Sequence, residues 1–296
     1  MTADAWVILT AVLAATACGL IGSFLVLRQN AMLGDAISHA VLPGLVLAFL
    51  ITSSRHVVPM LIGAGVMGLV TAYLTELLAR SNRLYKDAAL GVVFTFLFSV
   101  GVILIARYAG SVDLDQECVL YGEIAYTPYD TFVVGGTDFG PRATWILGGV
   151  LLANILFIGL FYKQLKITSF DPTTADAIGI SSRLWHYLLM TMVSMTVVAA
   201  FESVGAILVV AMLIIPGATA YLLSNRLIFV LLLSVLVGSA CAVLGFIGAT
   251  YFDTSIAGFM AVSGGLLFVL TLTGVSVARL YVRKHMSPDP TISQTV

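Results

Sequence analysis

Nine stretches of this chain run for about the thickness of a membrane with almost no charge in them. No Asp, Glu, Lys or Arg lies between Asp4 and Arg28, or between Arg226 and Asp253. Lipid offers the backbone no hydrogen-bond partners, so a spanning segment must be a helix or part of a closed barrel. These runs are continuous rather than alternating at period two, which selects helices. Composition agrees: the 296 residues are 60% hydrophobic and 10% charged, against about 25% charged for ordinary soluble domains. The chain is an all-α, polytopic membrane protein, with the lipid bilayer as its main solvent.

Spans are expected near 6–27, 32–51, 57–79, 87–106, 144–162, 184–202, 204–223, 227–249 and 256–278. Only Glu202 and Ser203 separate the sixth from the seventh, so the count is eight or nine. One transmembrane domain then covers 1–280. It carries an outer loop at 107–143 and an inner loop at 163–183. The polar tail 281–296, with Pro288 and Pro290, is expected to be disordered. The N-terminal residues lack the Lys or Arg of a signal-peptide n-region. Leu13 to Cys18 faintly resembles a lipoprotein cleavage site, but the apolar run continues past it.

Lys and Arg set the orientation. Arg80, Arg83 and Lys86 share one short loop; Lys163, Lys166 and Arg183 share another. Arg226 lies in a third, and Arg279, Arg283 and Lys284 mark the C-terminal end. Nine spans with the N-terminus outside put all of these, and Arg28, in the cytoplasm; Arg55 is the exception. The same topology places Asp113, Asp115, Glu117, Glu123, Asp130 and Asp138 outside, against only Arg107 and Arg142. That acidic mouth either concentrates cations or is an ordinary solvated loop.

The absences narrow the function. A net charge of −1 gives no case for nucleic acid. None of the four lysines precedes Ser or Thr, so no Walker A loop exists and the chain has no ATPase site of that kind. His-Glu-x-x-His and Gly-x-Ser-x-Gly are also missing. Cys18, Cys118 and Cys241 show no metal or redox spacing.

Three constellations carry the remaining chemistry. The first is Gly34-Asp-Ala-Ile-Ser-His-Ala-Val-Leu-Pro-Gly44, inside the second span. Asp35 and His39, at i and i+4, share one helix face, and ionisable groups are costly in hydrocarbon. One oxygen and one imidazole nitrogen suit manganese, iron or zinc, with Ser38 as possible support. The same pair also fits a plain Asp–His hydrogen bond in a helix bundle. Two ligands are too few for a closed structural site, but a symmetric dimer supplies a second pair. The second is the inner loop. Asp171 is a good N-cap, Pro172 fits the first helical position and Gly179 the C′ position, so a short helix near 172–178 is expected. It is either a docking knob or a connector. The third is Val204 to Ala220, where Pro216 and Gly217 predict a kinked or broken helix. Glu202, just before it, either extends an acidic path or reaches the interface. His56, His186 and His285 lie near span ends or in the tail and are expected to be interfacial.

The first motif resembles the signature of the zinc/manganese/iron permease family of ABC importers. Lys86-Asp-Ala-Ala-Leu-Gly-Val-Val-Phe, Phe170-Asp171 to Gly179, and Val204-Gly-Ala-Ile-Leu-Val to Pro216 are similar to further family stretches, in the same order. The likeness covers roughly 6–280, and the stretch Tyr129 to Arg142 resembles the manganese- or iron-associated branch in length. The resemblance implies a type II importer-like permease in a bacterial cytoplasmic membrane. It implies a second permease copy or paralogue, a separate cytoplasmic ATP-binding subunit and an extracytoplasmic metal-binding protein. Asp35 and His39 would then bind transported Mn2+, Zn2+ or Fe2+, with no permanently bound cofactor. Asp171, Pro172, Asp176 and Gly179 would shape the helix that docks the ATPase. The competing reading is an ion- or proton-coupled metal carrier working without an ATPase, with Asp35/His39 as a proton relay. A siderophore or cobalamin permease is disfavoured by the Asp/His pair.

Overall fold

The computed structural model describes residues 2–52, 57–80, 85–108, 124–134 and 137–285. Arg55, His56, Arg83, Asp113, Asp115, Glu117, Cys118, Glu123 and the tail beyond His285 lie outside these residues. Helix α1 is Ala3–Leu27, α2 Ala31–Ala40, α3 Leu42–Thr52, α4 Val57–Ala79 and α5 Lys86–Tyr108. After the outer segment come α6 Arg142–Leu160, α7 Tyr162–Phe170 and α8 Pro172–Ala177. The chain closes with α9 Ser182–Val204, α10 Ala206–Leu223, α11 Leu227–Phe252 and α12 Ile256–His285. Among the described residues, nine helical stretches are long and apolar enough to cross a membrane, α2 and α3 together making the second.

Helix α1 is the centre of the bundle. Every residue from Ala14 to Leu25 is buried, as expected of a helix apolar on all sides. It packs against α6, α9, α10 and α11. Small residues set how closely: a Cβ on Gly22 would lie 1.9 Å from the Leu213 carbonyl oxygen of α10. Polar side chains hold other pairs together. Buried Asn154 of α6 donates to the Ala17 carbonyl of α1 at 3.3 Å and to the Thr196 hydroxyl of α9 at 2.9 Å. Ser194 of α9 donates to the Ala64 carbonyl of α4 at 2.6 Å.

The two ends of the bundle carry different polar clusters. Arg28, Glu76, Lys86, Arg183 and His186 meet around one cavity with α7 and α8. At the opposite end Asp130, Arg142 and Ser203 share another cavity. The outer segment is not wholly helical. A 3-10 helix, Ile124–Tyr129, buries Ile124 and Thr127, and Thr131–Val134 pairs antiparallel with Thr137–Pro141. The β-branched and aromatic run Thr131-Phe-Val-Val134 favours extended backbone there.

The breaks in the helices fall elsewhere than expected. Helix α10 runs unbroken through Pro216, whose ring packs beside Gly19 of α1. The second span is interrupted instead, at Val41, because Pro43 has no N–H to offer the His39 carbonyl and its ring crowds that turn. The ambiguous sixth and seventh spans are separate helices, α9 and α10. They are joined at Gly205, whose φ of 79° and ψ of 163° lie in a region essentially closed to other residues. Gly205→Ala should therefore cost roughly 1–3 kcal/mol, read as a lower Tm of the purified chain. An unchanged Tm would remove the strain argument. Residues 163–170, expected to be the start of the loop, form α7 with Tyr162 because Leu165 and Thr168 bury one helical face.

Candidate functional site

Helix α2 is amphipathic in a way that aims its polar residues outward. Leu33, Gly34, Ala36, Ile37 and Ala40 are buried, the i, i+3, i+4, i+7 stripe of a packed face. Gly34 is pressed onto α10, since a Cβ there would lie 2.0 Å from the Leu213 side chain. Asp35, Ser38 and His39 fall on the opposite stripe. The His39 Nε2 lies 3.8 Å from Asp35 Oδ1, and the two side chains are 38% and 44% exposed. That distance is too long for a hydrogen bond, so the closed Asp–His bond of the plain structural reading is not made. Two donors on one tetrahedral ion would sit about 3.4 Å apart, a small closure from this geometry.

The surroundings fit an open face. The His39 ring is walled by α5, with Phe98 edge-on at 5.8 Å and Phe94 tilted at 6.2 Å between centroids. Thr95 and Ser99 of α5 are exposed within the same span and bond back to their own helix. Ser38 donates to the Asp35 carbonyl at 2.5 Å, so its hydroxyl turns to the backbone. Among the described residues, no group of three or more His, Cys, Asp or Glu side chains can hold a metal. Glu202 belongs to the last turn of α9; its side chain lies outside what the structure describes. Sequence reasoning missed Phe94 and Phe98, because aromatic residues in a span carry no signal before the fold brings them to His39.

The inner loop forms the expected short helix, α8. The Asp171 Oδ1 accepts from the Thr174 N–H at 3.0 Å and the Thr173 hydroxyl at 2.7 Å. These bonds pull the Asp171 carboxyl down to about 2 from 3.8. A depressed pKa means the cap is fully present above about pH 4 and is lost only as pH falls toward 2. Pro172 takes the first turn, and Gly179 ends the helix with φ +84°. Asp176 has a different task. Its two oxygens accept from the N–H and hydroxyl of Ser182, each at 2.7 Å, clamping α8 to the start of α9 and holding its own pKa low.

Beside α8 lies a polar-lined cavity of about 680 Å3. His186, expected to be interfacial, lines it. Glu76 of α4 binds Arg80 at 2.7 Å, Arg183 at 3.4 Å and the Tyr187 hydroxyl at 2.5 Å, tying α4 to α9.

The profile of the ABC 3 transport family matches residues 3–274. The chain belongs to that family. Relatives of the family chain include the manganese transport system membrane protein MntD of Bacillus subtilis, 52% identical over 90% of each chain. The zinc transport system membrane protein TroD of Treponema pallidum is 42% identical, over 89% of this chain and 72% of its own. Among solved structures, PsaBC from Streptococcus pneumoniae in complex with Fab superposes with a TM-score of 0.75 at 34% identity, covering 92% and 91% of the two chains. Nine apolar spans and this family membership make the chain a multi-pass bacterial membrane protein.

Proposed function

We propose that this chain is the membrane-spanning permease subunit of an ABC importer for divalent transition metal, with manganese as its cargo and zinc as the nearest competitor. The observation that carries this is the Asp35/His39 pair, open and half-exposed on a membrane helix. Ionisable side chains do not face lipid without cause. A second permease chain, identical or paralogous, covers that face and adds its own ligands, completing a shell around one ion. Two donors from each side hold an ion loosely enough to release it. The manganese assignment rests on the 52% identity to a manganese system membrane protein. Iron fits the same donor chemistry.

ATP hydrolysis belongs to a separate cytoplasmic subunit that docks on α8, and an extracytoplasmic protein delivers the ion. Family membership favours this arrangement over a proton-coupled carrier. The test is metal accumulation in cells expressing the chain with its ATPase and binding protein, scanning manganese, zinc and iron. Uptake should vanish when the ATPase is omitted and persist with an uncoupler that spares ATP. Uptake that survives loss of the ATPase but collapses with the uncoupler reinstates the carrier.

Docking makes a second expectation. Asp171→Ala removes the bonds that cap α8, and a proline at buried Ala175 removes the bond from the Ala175 N–H to the Asp171 carbonyl that starts the helix. Either change should leave ATPase turnover in the assembled complex while transport falls. The Asp171 cap itself should not respond to pH between 5 and 8, because the carboxylate is ionised throughout. Coupled transport in both variants would reduce α8 to a connector.

A further inference from the structure

The cavity at the cytoplasmic end is cationic in a way the metal path does not use. Arg28, Lys86 and Arg183 line it, opposed by Glu76 and Asp176. Both acids are already engaged, Glu76 by Arg80 and Arg183 and Asp176 by Ser182. Arg28 bonds only to neutral groups, the hydroxyls of Ser169 and Thr168, each at 2.9 Å. Lys86 donates to the Asn30 side-chain oxygen at 2.7 Å, with Glu76 and Asp87 acting on it only from beyond ion-pair distance. Among the described residues neither cation forms an ion pair. Burial pulls the Arg28 guanidinium down to about 10, the mark of a charge lacking an opposite partner. An uncompensated, partly buried cation is costly. A divalent metal would be repelled here, so the cavity is separate from the Asp35/His39 face.

We propose that this cavity binds a phosphate-class anion, the headgroup of an anionic phospholipid or free phosphate, through Arg28 and Lys86. The guanidinium has five N–H donors and spends two on hydroxyls, leaving others for a ligand. Arg, Lys, Ser and Asn are the side chains that ordinarily contact phosphate oxygens. About 680 Å3 accommodates a headgroup. Its position at the inner ends of α1, α4, α5 and α9 is where anionic lipids of the cytoplasmic leaflet present their phosphates. The bound anion would neutralise the base of α1 beside α8, fastening the docking helix to the bundle.

The test uses the full chain, purified in detergent with its permease partner. Its Tm is measured with added phosphatidylglycerol, with phosphatidylcholine, and separately with inorganic phosphate. Phosphatidylglycerol should raise the Tm above the phosphatidylcholine value. Arg28→Gln with Lys86→Gln should weaken the apparent affinity about 30-fold, from roughly 1 kcal/mol per basic group. Lys86→Gln alone, at an exposed side chain that threatens no fold, should weaken it about fivefold. Equal stabilisation by inorganic phosphate alone assigns the free anion as the source. Three results would overturn the site. They are no stabilisation by either source, stabilisation unchanged in the variants, and equal stabilisation by phosphatidylglycerol and phosphatidylcholine with none by inorganic phosphate.

Discussion

Manganese uptake by cells carrying His39→Ala or Asp35→Ala should fall by at least about 100-fold, with the chain still inserted at normal abundance. Removing a mere outer-shell partner of a metal ligand costs about 10–100-fold, and a site with one imidazole and one carboxylate per chain has no spare donor. Insertion should survive because neither side chain is buried against a partner; both are more than a third exposed. Ser38→Ala should change uptake little, since its hydroxyl is spent on the Asp35 carbonyl. Phe98→Ala should fall between these, because it frees the His39 ring without removing a donor. Cellular accumulation of the metal, normalised to membrane abundance, separates the four variants. Near-normal uptake by a stably inserted Asp35→Ala/His39→Ala chain would end the assignment.

Gly22→Ala should cost at least the ~3 kcal/mol upper range of overpacking and strip the chain from the membrane fraction. The new methyl would stand 1.9 Å from a backbone oxygen of α10. A carbonyl in a helix cannot rotate aside as a side chain can, so α1 and α10 must separate. These two helices form the centre of the bundle, and Leu213, at the same contact, also seats Gly34 and hence the Asp35 face. Gly149→Ala is the matched control. Nothing lies within 4 Å of its added carbon, and alanine favours the helix by up to about 1 kcal/mol. Thermal unfolding of both variants decides the point. Equal Tm values would mean that the helices part at little cost.

What could be read from the chain follows from which signals are local. The spans come from hydropathy, because a long apolar run reports a membrane helix whatever it packs against, and the expected eight or nine resolve as nine among the described residues. The α8 cap was legible because Asp171, Pro172 and Gly179 act within one turn of themselves. Proline was misread for a physical reason. Pro216 sits in a helix that continues through the missing bond rather than breaking, whereas Pro43 lies beside the polar stripe of α2 and its helix stops at Val41. The direction of Asp35 and His39 could not be read from α2 alone; it depends on Leu213 occupying the other face. Arg28, Glu76 and Lys86 belong to three separate spans, and only the bundle shows that they share a cavity. Asn154 was overlooked because a lone amide in an apolar run gives no hint of its partners on α1 and α9.

The central claim is that Asp35 and His39 bind the cargo where two permease chains meet. Pulsed electron paramagnetic resonance on the purified transporter, loaded with Mn2+ and labelled with 15N-histidine, tests it directly. One manganese should be bound per permease pair, with imidazole nitrogen coupling that disappears in His39→Gln. Manganese bound without nitrogen coupling, or coupling unchanged in His39→Gln, would place the ion elsewhere and contradict the account.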